Sequence, residues 1–329
     1  MADATPTPRL ILVDGFAGSG KSTTAQRLWL HLNARGRQAS WFHEHQSGHP
    51  IFRYDEIEEL LDLTPGPFED QILANWTAFA RDAAAPAIRI LDGSFFQLTV
   101  GVMLSLNVTP RRIERTLLQI ERLVSGVEPL LIYLFHRSTR DGLLNIRTHR
   151  GEYWLDGMTT ILGRSRYGRR HRVRDLDGLI TFYEKQRAIV DSVLGKLAIR
   201  RIAIEISRGR WDEYGRRMAA FLRMGRLRPL TLSPKEALRH VGRFTGTTTG
   251  REYVVTTDAA SLYLQDRLTP AQRLLPAGGG LFSVESLPID VRFAADRRGE
   301  VRRMIVDNRL LNGQAADRSF TRRRETRSS

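Results

Sequence analysis

Apolar positions fall into two regimes along this chain. Through about residue 222, short continuous apolar runs alternate with longer stretches in which apolar residues recur every three or four positions. The runs Arg9–Asp14, Ala39–His43, Ile88–Asp92, Pro129–Phe135 and Arg201–Ile206 read as strands. Leu130 to Phe135 is nearly all apolar, as a strand covered on both faces should be. Helical spacing separates them. Ala25, Leu28, Trp29 and Leu32 share one face, as do Ile72, Trp76, Phe79 and Ala83, then Ile113, Leu117, Ile120 and Val124, and later Leu176, Ile180, Tyr183, Val190, Leu194 and Leu197. Thr64-Pro65-Gly66-Pro67 reads as a break, with Glu69 and Asp70 in the first turn of the next helix. Phe95 to Leu106 reads as a buried helix, and Thr109-Pro110 as a helix start. Alternation of this kind predicts an α/β unit: a five-stranded parallel sheet with helices on both faces and a ligand crevice at the carboxyl ends of the strands.

At Arg226-Leu227-Arg228-Pro229 the pattern changes. From Gly242 to Asn308 short runs are separated by turn residues about every ten positions, among them Tyr253–Thr256, Ser261–Gln265, Leu281–Val284, Val291–Phe293 and Val301–Val306. This spacing predicts a small antiparallel β domain. The expected division is 1–228 for the α/β domain and 229–329 for the β domain and a tail.

The candidate chemistry sits in the first turn of that grammar. Gly15-Phe16-Ala17-Gly18-Ser19-Gly20-Lys21-Ser22 fits G-x-x-x-x-G-K-[ST], between a strand and a helix. In such a loop the backbone amides of Gly15, Ala17, Gly18, Ser19, Gly20, Lys21, Ser22 and Thr23 would wrap phosphates, helped by the helix N-terminus. Lys21 would reach the β- and γ-phosphates of ATP and Ser22 would ligate Mg²⁺. Asp92 ends the third strand, where a carboxylate can hold the metal, and Glu44 ends the second, where it can take a proton from an acceptor hydroxyl. Arg147 and Arg150 share a helix face and can neutralise charge on a transferring phosphoryl group. A lid over about 147–174 would include the run Arg164 to Arg174. The histidines of His43-Glu44-His45 and His49 do not make H-E-x-x-H, because Ser47 stands where the second histidine is needed.

Composition narrows the partners. Lacking cysteine, the chain has no disulfide, thiolate zinc site or cysteine nucleophile. The net charge is +15, and all but Lys21, Lys185, Lys196 and Lys235 of the 51 basic residues are arginine. Six arginines and no acid lie between Arg164 and Arg174, and five more follow from Arg318 to the end, read here as a disordered basic tail. No aromatic-basic interleaving accompanies them, so nucleic acid is not expected as a partner. Met1 to Pro8 has neither a basic nor an apolar signal region, and Phe95 to Val108 is too short to span a bilayer. A cytoplasmic location with no membrane partner is the expectation.

With those residues in view, residues 9 to about 223 resemble the nucleoside and nucleotide kinases of the P-loop class, the group of thymidylate kinase and deoxynucleoside kinases. The marks are the loop at Gly15–Ser22, Glu44, Asp92-Gly93-Ser94, and Leu131–Leu134 followed by Ile146-Arg147-Thr148-His149-Arg150-Gly151. The resemblance implies the three-layer P-loop NTPase fold with sheet order 2-3-1-4-5, use of ATP and Mg²⁺, and adenine near Ser207 to Arg210, with Arg208 beside it. Gly93 stands where that family places an arginine by its acceptor, and no proline follows Glu44. The last 90 or so residues resemble the small β-barrel or sandwich domain appended to penicillin-binding-protein-like serine hydrolases, without the S-x-x-K nucleophile. Such a domain is expected to close over the acceptor or to mediate a homodimer. The expected function is an ATP-dependent kinase acting on a hydroxyl of a small-molecule acceptor, nucleoside-like or antibiotic-like. The alternative is a nucleotide-gated binding protein with little turnover.

Overall fold

The computed structural model describes residues 8–54, 59–83, 87–150, 152–227, 230–258, 261–267, 269–311 and 318–322. The chain divides into two compact units. One draws its described residues from 1–25, 38–44 and 48–227, the other from 26–37, 45–47 and 228–329.

In the first unit, β1 (Leu10–Gly15), β2 (Ala39–Phe42), β3 (Ile88–Asp92), β4 (Pro129–Phe135) and β5 (Arg200–Glu205) form a parallel sheet in the order β2-β3-β1-β4-β5. The central β1 is buried from end to end, which its uninterrupted apolar run requires. Its register is what matters for function. Val13 pairs with Asp92 and Gly15 with Leu134, so the end of β3 lies beside the start of the glycine loop.

The helices are α1 (Lys21–Ala34), α2 (Glu59–Asp62), α3 (Pro65–Asp82), α4 (Thr99–Ser105), α5 (Pro110–Val124), α6 (Thr139–Arg150), α7 (Glu152–Arg164), α8 (Arg166–His171), α9 (Leu176–Leu194) and α10 (Trp211–Phe221). A continuous core runs from Leu10 and Leu12 through Trp76, Phe95 and Phe96 to Tyr183 and Val190.

Two local readings of this unit change. Helix α3 begins at Pro65, so that Glu69 and Asp70 lie beyond its first turn, with Thr64 as the flanking residue and proline in the first turn, where its missing N–H costs nothing. Glu69 therefore sits inside the helix, buried, and accepts from Arg112 Nε and from Thr116 Oγ1, the latter at 2.7 Å. Second, the expected single helix from Phe95 is a π-type turn at Ser94–Leu98 leading into α4. The arginine-rich stretch Arg164–Arg174 comprises the last residue of α7, the whole of α8 and the approach to α9.

In the second unit, β6 (Gly242–Gly246), β7 (Glu252–Asp258), β8 (Ser261–Gln265), β9 (Gln272–Gly278), β10 (Leu281–Val284), β11 (Ile289–Ala295), β12 (Val301–Asn308) and β13 (Ser319–Arg322) close into an antiparallel barrel. Alternate residues face its interior, with Phe244, Val255, Leu262, Leu274, Val284, Val291, Met304 and Phe320 buried together. A short helix, α11 (Pro234–His240), precedes the barrel; Ser233 and Glu236 cap it reciprocally. The same unit includes Gln26, whose buried amide donates to Ser283 Oγ at 2.9 Å and Val284 O at 2.7 Å and accepts from Ser286 N at 2.7 Å.

The expected disordered tail is ordered at its start. Its first residues are not disordered: Ser319–Arg322 pairs with both β12 and β6 and is the strand that closes the barrel. Closure removes two edges that would otherwise expose unpaired backbone. Phe320 is wholly buried at that seam, so Phe320→Ala is expected to cost about 3–5 kcal/mol. Urea unfolding followed by far-UV circular dichroism measures it, and a loss below about 1 kcal/mol, the scale of an ordinary surface change, would argue against the closed barrel. Arg323 to Ser329 lie outside the described residues.

Candidate active site

The end of β1, the glycine loop and the start of α1 lie within the first unit. Gly15 ends β1, Ala17, Gly18, Ser19 and Gly20 form the loop, and Lys21, Ser22 and Thr23 open α1. Ser19 N donates to Phe16 O and Thr24 N to Gly20 O, which fixes the loop at both ends. The first amides of a helix have no intrahelical acceptor, and those at Lys21 and Ser22 are available to an anion, with the helix dipole behind them.

Lys21, Ser22, Glu44 and Asp92 come together as the sequence predicts. Lys21 Nζ lies 3.0 Å from Glu44 Oε1, and both side chains are almost fully buried. Asp92 is also buried, and neither of its carboxylate oxygens has a hydrogen-bond partner in ordinary geometry. Burial pushes the Asp92 carboxyl up to about 7; Lys21 pulls it back down, Glu44 raises it further, and the adjacent Ser22 hydroxyl lowers it. Burial alone would depress the Lys21 ammonium, but Glu44 and then Asp92 outweigh it, so its pKa is raised. This pocket thus holds one cation beside two carboxyl groups, and burial keeps one of them, Asp92, partly protonated near neutral pH.

The residues fit magnesium. A buried carboxylate with unengaged oxygens beside a serine hydroxyl offers hard oxygen donors, and this ion takes few protein ligands because it keeps waters and substrate phosphates. Among the described residues no group of three His, Asp or Glu side chains could hold a metal alone. The histidine-rich stretch is engaged otherwise. His49 Nδ1 accepts from Ile51 N and Phe52 N at 3.1 and 3.0 Å, and its other ring nitrogen lies 3.2 Å from Ser94 Oγ.

Gly93 explains the missing arginine. Its φ of +65° is a left-handed conformation, and a Cβ there would come within 2.5 Å of Glu44 Oε2 and 2.8 Å of Lys21 Cε. No side chain can stand at this position while Lys21 and Glu44 hold their pairing.

Three site residues were not found from the sequence. Asp14, wholly buried, accepts four backbone N–H groups: from Gly15 and Gln97 at 2.9 Å, Phe95 at 3.0 Å and Phe96 at 2.7 Å. It ties the loop entry to the turn after Asp92. Burial pushes its carboxyl up to about 6 despite those bonds. Asp14→Ala should cost about 1–3 kcal/mol for each buried amide left unpaired; urea unfolding would show whether the total passes about 3 kcal/mol, and a neutral result would remove Asp14 from the scaffold. His136 ends up against the loop, where it and Ser19, with Phe16 and Tyr183, line a cavity of about 20 Å³, room for one water. Burial lowers the His136 pKa, partly opposed by the Gly18 backbone. The ring of Trp211, at the start of α10, lies against Gly20.

Arg147 and Arg208 line other cavities. Arg147 is 3.8 Å from Glu152 and faces a cavity among α7, α8 and the start of α9. The side chain of Arg150 lies outside the described residues. Arg208 lines a crevice of about 280 Å³ with Arg137, Arg210, Arg217 and Tyr214, after β5.

No protein-family description matches the sequence, and no curated protein matches it. Among solved structures, the chain is similar to thymidylate kinase from Candida albicans, at 18% identity and a TM-score of 0.38, over 66% of this chain and 94% of that one. It is also similar to the signal recognition particle receptor FtsY from Elizabethkingia anophelis, solved in complex with GDP, at 15% identity and a TM-score of 0.24, over 51% of this chain and 54% of that one. Both likenesses are distant. The fold rests on the strand order and the loop: this is a P-loop NTPase sheet, in the order 2-3-1-4-5, with a separate antiparallel barrel. Among the described residues no helix is long and apolar enough to cross a membrane.

Proposed function

We propose that this protein transfers the γ-phosphoryl group of ATP to a hydroxyl of a small-molecule acceptor. The observation that supports this most is the buried Lys21–Glu44 pair beside a second buried carboxyl group, Asp92, which lies next to the Ser22 hydroxyl. In this reading the loop amides and Lys21 bind the phosphates, and Lys21 exchanges Glu44 for a phosphate oxygen. Glu44, released, accepts the acceptor's hydroxyl proton. The acceptor oxygen bonds to the γ-phosphorus as the bond to the β–γ bridging oxygen breaks, and ADP leaves. Ser22 and Asp92 would hold Mg²⁺, which supplies charge neutralisation to the phosphates. Arg147 and Arg150 would close on the transferring group, and the base would rest between Trp211 and the loop bearing Arg208.

The acceptor is small, and neither a membrane nor nucleic acid takes part; the protein would work in the cytoplasm, with the barrel unit as a homodimer contact. Gly93 sets the acceptor class apart from one gripped by an arginine at that place. The test is incubation of the full chain with ATP, Mg²⁺ and a library of hydroxylated small molecules, read by mass spectrometry for a mass gain of one phosphoryl group. Tight ATP binding with no product from any acceptor would favour the nucleotide-gated binding reading.

A further inference from the structure

Helices α7, α8 and the start of α9 enclose an open cavity of about 780 Å³ in the first unit, within the size range of small-molecule sites. No residue of the glycine loop or the Lys21 pocket lines it. Five arginines do: Arg147, Arg164, Arg169, Arg172 and Arg174. Three acids share the wall, and two are already engaged. Glu152 faces Arg147, and Asp175 caps α9 by accepting from Gly178 N at 2.9 Å. Among the described residues, Arg164, Arg169, Arg172 and Arg174 join no acid in an ion pair. Five guanidinium groups against the carboxylates of Glu152, Asp156 and Asp175 leave an excess of positive charge around one cavity, which an anionic ligand would offset.

The arginines stand on a rigid frame. Tyr167 is buried, its ring tilted against His171 and edge-on to Phe182, and Lys185 lies over its ring. Gly168 packs so closely on the Leu162 carbonyl that no Cβ fits between them. Ser165 caps α8 through Gly168 N. Arg172 ends that helix with φ +54°, a left-handed conformation that is strained for a non-glycine residue and persists only where the surroundings fix it. Arg169 Nη1 donates to the Arg164 carbonyl. A preorganised set of planar, always-charged forks suits phosphate oxygens, each able to take two parallel N–H bonds.

We propose that this cavity is a second anion site, separate from the glycine loop, that takes a small ligand carrying two or more phosphate groups. Such a ligand is either a free polyphosphate or the polyphosphate tail of a nucleotide, and the experiment distinguishes them. Inorganic tripolyphosphate is titrated calorimetrically into the full chain saturated with a non-hydrolysable ATP analogue, which fills the loop, and into Lys21→Ala, which disables it. The expected result is one further equivalent of tripolyphosphate in the first case and retained binding, within about threefold, in the second. Arg169→Gln with Arg172→Gln should weaken that binding by about tenfold or more. Both positions are exposed, and Arg164→Gln alone, a milder change, should move it in the same direction. Equal binding of tripolyphosphate and ATP by Lys21→Ala indicates recognition of phosphates alone; tighter ATP binding indicates a nucleotide. Either supports the site. Loss of all tripolyphosphate binding in Lys21→Ala and in the analogue-saturated protein overturns it, since the arginines would then serve only a ligand held by the loop. Unchanged affinity in the arginine variants overturns it as well.

Discussion

Glu44→Gln is expected to slow phosphoryl transfer by about 10²–10⁴-fold while ATP still binds. Glutamine keeps the shape and can still accept from Lys21, but it cannot take up the acceptor's proton. Its effect on stability should be small, because the pocket holds two carboxyl groups beside one ammonium and Asp92 remains to balance Lys21. Lys21→Met is the contrasting variant. It removes the cation from between two buried acids, which breaks a buried ion pair at about 3–5 kcal/mol. Glu44 and Asp92 would then face each other unshielded, and both carboxyls would rise until one holds a proton. Nucleotide affinity and transfer fall together in that variant, by about 10²-fold or more for the loss of one electrostatic contact to the phosphates. Calorimetric ATP titration, product mass spectrometry and urea unfolding on the two variants separate these effects. A Glu44→Gln protein that transfers at the unaltered rate would remove Glu44 as the base and favour a nucleotide-gated binding role.

The glycine loop, the strands beside it and the acids at their tips were legible because each signal is local: a run of apolar residues, a fixed spacing, an acid closing a strand. Asp14 was not, since the amides it binds belong to residues 81 to 83 positions later in the chain. Before the fold is known, an acid preceding a glycine is an ordinary turn residue. Gly93 could be read as a departure from a family pattern, yet its reason, crowding by Glu44 and Lys21, exists only after β2, β3 and α1 have converged. Strand β13 offers a single apolar residue, Phe320, amid arginines; four residues give no period to detect, and their extended form comes from pairing with β12 and β6. Helices α7 and α8 were hidden in the same way. Their arginines are exposed while Leu155, Leu162 and Tyr167 are buried at intervals that the charge run obscures.

Asp92→Asn should stabilise the nucleotide-free protein at pH 8 while abolishing most of the proposed transfer. The folded state holds a proton on Asp92 up to about pH 7 and on Asp14 up to about pH 6, against an ordinary carboxyl value of 3.8. Between about pH 4 and pH 7 the folded chain therefore binds more protons at these sites than the unfolded chain does. Their contribution to stability is fully present below about pH 4 and is lost as pH rises through the folded values. The amide side chain of the variant cannot ionise, so the variant should lose the Asp92 part of that decline: its unfolding free energy should change less than that of the parent protein from pH 5 to pH 8. Asp14 still titrates in both and leaves a shared, smaller slope ending near pH 6. A cation set against Asp92 offsets the burial of its charge, so Mg²⁺ with a non-hydrolysable ATP analogue should raise the melting temperature of the parent more than that of the variant at pH 8. Thermal and urea unfolding at the two pH values, with and without the magnesium–analogue pair, measure each difference. If Asp92→Asn were the less stable protein at pH 8, the carboxylate would be a structural acid satisfied by its neighbours. A group kept ionised in an apolar pocket at a cost to folding is instead what a site retains for a metal-bound phosphate.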